Sequence, residues 1–386
     1  MADPPAAPSL PWRVGSSTVM GVVGTLTRAF MYGLNSTETH GLERFLEVLD
    51  KRKDVDERER GLITVSNHVS VIDDPLIWAP LPFRYHWNPS NSRWSLASHD
   101  ICFTNKFASA FFTLGQTLPT HRLAHSPYGG PFQNTMTEAV RLLSHPPFTT
   151  PEQPLSPAST PSTSLSSPDI VDPFTSPTTH TYTYTTNGHD TFPAPSAFST
   201  RHYSWVHVFP EGRVHQHPRK TMRYFKWGVA RLILEPDVCP DIIPMWIEGN
   251  NEIMHEARQW PRFVPRVGKR CAVWFGENVG GKGEGSVFHE LRERWKVLVE
   301  ASRQKEGGES GIQEIGVLED QLKYGREAVE LRKECTMAVR REVLKVRRLR
   351  GLPDEDPKEG LVETWAEEGS GKREGKMGDG SWVKDT

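Results

Sequence analysis

Leu62-Ile63-Thr64-Val65-Ser66-Asn67-His68-Val69-Ser70-Val71-Ile72-Asp73-Asp74-Pro75 is the stretch on which the reading of this chain turns. Its first four residues are a short, β-branched, mostly apolar run, which reads as a buried strand. His68 stands where that strand runs out, and Asp73, five residues on, falls in the first turn of a following helix. A bend between them brings the carboxylate onto one imidazole nitrogen, which fixes the tautomer and supports the imidazolium. The other nitrogen is left to take a proton from a hydroxyl. This is the His-carboxylate half of a catalytic triad without its serine, and a substrate hydroxyl is the natural third member. The plain alternative is a structural histidine that caps the helix, because a lone His-x4-Asp spacing arises often by chance.

Working outward, similar short runs recur at 94–98, 204–209, 241–246 and 271–275, with helical patterns at about 72–80, 104–114, 131–144 and 221–235. Strands alternating with helices define an α/β domain: a mixed, mostly parallel sheet flanked by helices. A second strand end carries Val206-His207-Val208-Phe209-Pro210-Glu211-Gly212-Arg213. Ligands in open α/β sheets gather at the carboxyl ends of strands. Gly212 then allows close backbone approach, Glu211 offers an acceptor for a hydroxyl or a cation, and Arg213 offers a positive charge. Between the two motifs, Leu114 to Arg122 reads as a helix end, a short strand and a lone Arg122, whose guanidinium suits bidentate phosphate binding. Ile242-Ile243-Pro244-Met245-Trp246 is a strand interrupted by proline, which predicts an edge or wall position.

These four blocks, in this order, resemble the glycerolipid acyltransferase family, whose motifs are Asn-His-x4-Asp, an Arg-bearing block, Phe-Pro-Glu-Gly and Ile/Val-Pro. Asp100–Asn105, Phe111–Gly115 and Arg223–Gly228 resemble one branch of it, and the likeness covers roughly 10–145 and 200–280. The resemblance implies that a fatty acyl chain passes from a phospholipid to a lysophospholipid without coenzyme A or another cofactor. It implies phosphatidylcholine as donor, monolysocardiolipin as acceptor and cardiolipin as product, on mitochondrial membranes as a monotopic protein facing the intermembrane space. His68 is then the general base, Asp73 orients it, and Asn67, Arg122, Glu211, Gly212 and Arg213 hold substrate. Backbone N–H groups of the Asn67–Ser70 turn or beside Gly212 are candidate oxyanion donors. Rival readings are an acyl-CoA-dependent lysophospholipid acyltransferase using the same His68 and Asp73, a lipase-like hydrolase, and a catalytically silent membrane-binding protein. Ser66, Ser70 and Cys102 lie in no Gly-x-Ser-x-Gly turn, and Ser70 is better placed as a helix cap.

Composition narrows the field further. The 386 residues carry a net charge of −2, which argues against a dedicated nucleic-acid binder. No run of about 18 to 20 apolar residues spans a bilayer. The four cysteines stand far apart, so neither a zinc site nor a disulfide framework is expected, and no metal is assigned. Residues 1–11 read as a flexible N-terminus. From 12 to 34 there is no acidic residue, and Val14, Val19, Val22, Val23, Leu26 and Phe30 approximate one face. That pattern suits an interfacial membrane helix with Val22, Leu26 and Phe30 in contact with lipid. A packed soluble helix and a spanning or targeting segment are the alternatives.

A charged amphipathic helix is expected at 38–52, within an acyltransferase domain over 35–285. Residues 146–200 interrupt that domain: 33 of these 55 residues are Pro, Ser or Thr, a composition that predicts a disordered insertion. In 222–235, Phe225, Trp227 and Leu232 mix with cations, as at a headgroup boundary, unless this is an ordinary core helix. Residues 286–350 read as a charged helical extension, and 351–386 as a disordered tail. The basic stretch 332–350 suits a solvated helix face or attraction to an anionic bilayer.

Overall fold

The computed structural model describes residues 6–146, 148, 183–281, 285–305, 315–368, 374–377 and 380–384. Along the chain run strands β1 (Ser36–His40), β2 (Leu62–Ser66), β3 (Arg93–Ser98), β4 (Thr117–Thr120), β5 (Thr183–Tyr184), β6 (Phe192–Pro193), β7 (Trp205–Val208), β8 (Val214–Gln216), β9 (Asp241–Glu248) and β10 (Arg270–Phe275). Among the described residues, seven of them form one sheet in the order β1-β10-β9-β2-β7-β3-β4. β9, β2, β7, β3 and β4 run parallel, and β10 is antiparallel to β9. The mixed, mostly parallel sheet is therefore present, and β2 and β7 are neighbours near its centre.

Alternation along the strands separates two apolar layers. Ile63, Val65, Val206, Val208 and Ile242 face helices at Asn134–Leu142, Gly228–Leu234 and Arg326–Leu349. Leu62, Trp205, Ile243, Met245 and Ile247 pack with Phe45, Leu49 and Trp78 on the other side. Two-sided burial is why β2 reads as a continuous apolar run. Pro244, expected at an edge, lies inside the sheet. β10 pairs with β9 only from Met245 onward, so the missing N–H breaks no bond of that ladder.

The expected helix at 38–52 begins later. Ser36–His40 alternates exposed and half-buried residues as an edge strand, and only Leu42–Lys51 is helical. Gly41 makes the corner with φ 73°, and a Cβ there would lie 2.2 Å from Phe275 O.

The N-terminal segment forms a helix over Leu10–Ala29 and a π turn over Phe30–Leu34. Its glycines mark the packing face: a Cβ on Gly21 or Gly24 would come within 2.3 Å of the Trp87 or His86 ring. Arg28 donates to the carbonyls of Ala79, Pro80 and Leu81. Val22 and Leu26 are on the exposed side, but Phe30 is half-buried against the Met31–Leu76–Ile253 cluster. Phe30 is thus not on the exposed side with them.

Nor are Phe225 and Leu232, both of which are buried in the main core. Residues 221–227 are not helical, and every residue from Val229 to Leu234 is buried, Arg231 with its partner Glu235 included, so this helix is enclosed all round. Trp227 is half-buried, with Lys333 Nζ 6.0 Å from its ring. Arg332, Arg340 and Arg347 are likewise interior, donating to backbone carbonyls of Leu322, Met222 and Lys220. Neither a solvated face nor a bilayer accounts for those three.

Residues 149–182 of the expected insertion lie outside the described residues. Residues 183–200 are folded: β5 and β6 make a hairpin, and Tyr184, Phe192 and Ala194 join Phe103 in a small core. Two large aromatic groups, Tyr184 and Phe192, thus dock a Pro/Ser/Thr-rich segment. The tail is also partly structured. Strand β12 (Trp382–Lys384) pairs with β8 and with β11 (Glu374–Lys376), and Val383 is buried.

Glu138 ties the hairpin limb to the domain, its carboxylate accepting Ser196 N at 2.7 Å and Ser196 Oγ at 2.8 Å. Burial pushes this carboxyl up to about 7 from its ordinary 4.5. The folded chain then keeps a proton that the unfolded chain releases, so this stabilising contribution is full below about pH 4.5 and is lost as pH rises through 7. Melting scans from pH 5.5 to 8 should show wild type losing more stability than Glu138→Gln, which carries no titrating group there. Parallel curves would contradict it.

Candidate active site

β2 and β7 pair in register from Leu62↔Trp205 to Val65↔Val208, so their carboxyl ends bring His68 and the Phe209–Arg213 turn side by side. His68 Nδ1 lies 2.8 Å from Asp73 Oδ2. The same oxygen accepts Val69 N at 2.7 Å and Ser70 N at 2.8 Å, while Asp73 Oδ1 accepts Asn250 Nδ2 at 2.9 Å. An ionised carboxylate only accepts, so His68 Nδ1 carries the proton and Nε2 is the ring's acceptor. Nε2 has no hydrogen bond among the described residues, and the side chain keeps 18% of its surface exposed. The imidazole stacks on Phe209 at 4.3 Å. A fixed tautomer with an open basic nitrogen beside a buried carboxylate can accept a proton from a hydroxyl and return it.

The neighbouring residues mostly hold this pair rather than face substrate. Asn67 spends both amide atoms on Ile247, donating to its O at 3.0 Å and accepting its N at 2.8 Å. Glu211 is buried, accepting His68 N at 2.8 Å and Arg223 N at 2.9 Å, one on each oxygen. Burial pushes its carboxyl up to about 7, and those two N–H groups only partly offset it. Both residues are braces in this structure, which corrects the substrate-binding expectation for them.

Four of the candidate oxyanion donors are already committed. The N–H groups of His68, Val69 and Ser70 go to the two carboxylates, and that of Gly212 goes to Phe209 O at 3.0 Å. Gly212 is needed for its φ of 65°, and the Lys226 side chain lies across it, its Nζ 2.6 Å from where a Cβ would stand. Arg213 follows half-buried in the same turn. Arg122 lies at the end of β4 and is paired with Asp100, NH2 to Oδ2 2.5 Å. Burial alone would raise the Asp100 carboxyl, but Arg122 and Ser98 hold it below the ordinary range.

Two groups, the half-buried Asp74 and the buried His207, escaped sequence reading. Asp74 accepts Arg93 NH2 at 2.7 Å, Ser95 Oγ at 2.6 Å and Trp78 Nε1 at 2.8 Å, tying the turn after β2 to β3. The Asp73-Asp74 doublet was the available signal. His207 is hydrogen-bonded to Thr64 at 2.8 Å and meets Trp78 edge-on; burial lowers its pKa to about 3, so it stays neutral.

Ser66 and Ser70 are fully buried, and the Ser70 hydroxyl caps no helix. Burial pushes the Cys102 thiol up to about 11, which suppresses the thiolate. Ser66→Ala and Cys102→Ala should each keep transfer rates within about threefold of wild type, because neither side chain touches the His68–Asp73 pair. Intact-mass spectra under turnover should show no acyl adduct. An adduct lost with either substitution would establish a covalent route.

A family model described as Acyltransferase matches residues 37–147. Tafazzin of Saccharomyces cerevisiae is 32% identical over 354 residues, covering 90% of this chain and 81% of that one. Tafazzin of Drosophila melanogaster is 30% identical over 70% of this chain and 53% of its own length, so this chain spans about half of it. N-acylphosphatidylethanolamine synthase of Arabidopsis thaliana is 27% identical, with 68% and 70% covered. The sheet, the His68–Asp73 pair and these likenesses make the protein an acyltransferase acting on phospholipids. Within that class, the chain belongs to the tafazzin family.

Proposed function

We propose that the protein is a coenzyme-A-independent transacylase that moves an acyl chain from phosphatidylcholine to monolysocardiolipin, with His68 as general base. The observation that carries this reading is the open Nε2 of an imidazole whose Nδ1–H is committed to Asp73. With the nearby serine hydroxyls buried, the hydroxyl it activates is taken to be the substrate's. His68 Nε2 removes the proton from the lysolipid hydroxyl, whose oxygen adds to the acyl carbonyl of the donor. The tetrahedral intermediate collapses, and the departing lysolipid oxygen takes the proton back from His68. Asp73 stabilises the imidazolium between these steps. One ester replaces another, so the equilibrium constant lies near one and lipid packing biases the products. Arg122 and Arg213 are the proposed phosphate contacts, the former by exchanging Asp100 for a lipid phosphate.

The membrane face is built on the outer side of the Leu10–Ala29 helix, where Leu10, Val14, Val22 and Leu26 are exposed. That helix packs against the segments carrying exposed Phe83 and Trp87 and exposed Phe107 and Phe111. Aliphatic and aromatic groups spread over neighbouring helices suit the headgroup boundary. No described helix is long and apolar enough to cross a membrane. A monotopic position on mitochondrial membranes, facing the intermembrane space, is the location proposed.

The test mixes purified protein with acyl-labelled phosphatidylcholine and monolysocardiolipin in liposomes, with and without coenzyme A. Label should enter cardiolipin without the coenzyme. Transfer only from added acyl-CoA would replace this reading with the acyl-CoA-dependent enzyme. Free fatty acid as the main product would make it a hydrolase, and no turnover under any of these conditions would leave a silent membrane-binding protein.

A further inference from the structure

Strands β3 and β4 run parallel with Ser98 opposite Thr120, and the next residue of each is a histidine. The His99 and His121 rings stack with centroids 4.3 Å apart. The folded limb of the insertion adds Asp190 to them. One donor atom from each of these three side chains lies within 4.8 Å of the others. His99 Nε2 and Asp190 Oδ2 are 3.3 Å apart. A tetrahedral zinc ion with bonds near 2.0 Å needs its donors about 3.3 Å apart, so this pair already has the spacing. His121 offers the third donor atom within the same 4.8 Å.

We propose that His99, His121 and Asp190 form a binding site for a divalent transition-metal ion of the zinc type. Two imidazoles and one carboxylate are a borderline donor set that suits zinc better than calcium or magnesium. The carboxylate is oriented as a metal ligand requires. Asp190 Oδ1 accepts Thr186 N at 2.6 Å and Thr185 Oγ1 at 3.0 Å, which leaves Oδ2 toward the imidazoles. The Thr186 hydroxyl bridges His121 Nε2, at 2.8 Å, and Asp190 Oδ2. On binding, the ion replaces that bridge. Arg122 follows His121 directly, so an ion here fastens the 183–200 limb to the strand end that carries Arg122. The four cysteines do not enter this site.

The full-length protein, stripped with a chelator, is titrated with Co2+ and read by visible absorption, then challenged with Zn2+. One equivalent of Co2+ should give the absorption of a four-coordinate ion, and Zn2+ should abolish it. His125→Ala, which removes an exposed histidine outside the cluster, should behave as wild type. His121→Ala and Asp190→Asn should each weaken Co2+ binding by at least about tenfold. Asp190→Asn keeps an acceptor for Thr186 N, and a melting curve confirms that it folds. Absence of Co2+ binding in wild type would overturn the site, as would binding that survives both substitutions or falls equally with His125→Ala.

Discussion

Asp73→Asn lowers the rate of acyl transfer by on the order of 10³ to 10⁴, the scale found when a triad carboxylate is neutralised. The substituted amide can still accept from Val69 N and Ser70 N through its oxygen, with the Asn250 amide turned to offer its own oxygen to the new NH2 group, so the turn keeps its shape. What it loses is the negative charge against His68 Nδ1, and with it the stabilisation of the imidazolium. Initial rates over a range of lysolipid concentrations should show the loss in kcat with KM little changed, because Asp73 is fully buried and meets no substrate. The melting temperature checks the fold. A variant with wild-type kcat would remove Asp73 from the mechanism.

Glu355→Ala destabilises the chain by about 3–5 kcal/mol, the usual cost of leaving buried charges without their partner. Glu355 receives Arg340 NH2 at 2.6 Å and Arg347 Nε at 3.3 Å, and all three side chains are almost completely buried. It also accepts Met222 N at 2.8 Å. The next residue, Arg223, donates its N–H to Glu211, which in turn receives the N–H of His68. The C-terminal extension thus supports the active-site turn through two carboxylates in series. Urea unfolding of the variant should show a lower midpoint at unchanged slope, together with reduced transfer at temperatures where it stays folded. Unchanged stability would show that the Arg340–Glu355–Arg347 network contributes nothing net.

The extent to which the sequence announced this molecule follows from where each signal resides. The five core strands of the notable short apolar runs came out within two residues at each end, because two-sided burial leaves an unbroken apolar imprint on β2, β7 and β9. The pairing of His68 with Asp73 was legible because it is local, a matter of one turn. The duties of Asn67 and Glu211 were not, since their partners Ile247 and Arg223 lie 180 and 12 residues away and depend on strand order. Phe225 and Leu232 read equally well as core or as membrane contacts until a third layer, the Arg326–Leu349 helix, covered them. The interior arginines of that helix misled for the same reason, their partners being carbonyls and Glu355 far along the chain. Composition correctly marked the Pro/Ser/Thr-rich insertion as unusual, but an average over 55 residues hides the few aromatic groups that fold 183–200.

The most direct measurement compares wild type with His68→Ala in the same liposomes of labelled phosphatidylcholine and monolysocardiolipin, without coenzyme A, with thermal melts to confirm that both proteins are folded. The mechanism predicts transfer to cardiolipin by wild type and a rate at least about 10² lower for His68→Ala, the minimum contribution of a positioned general base. Equal rates from the two proteins would contradict it, and the base would have to be sought elsewhere on the sheet.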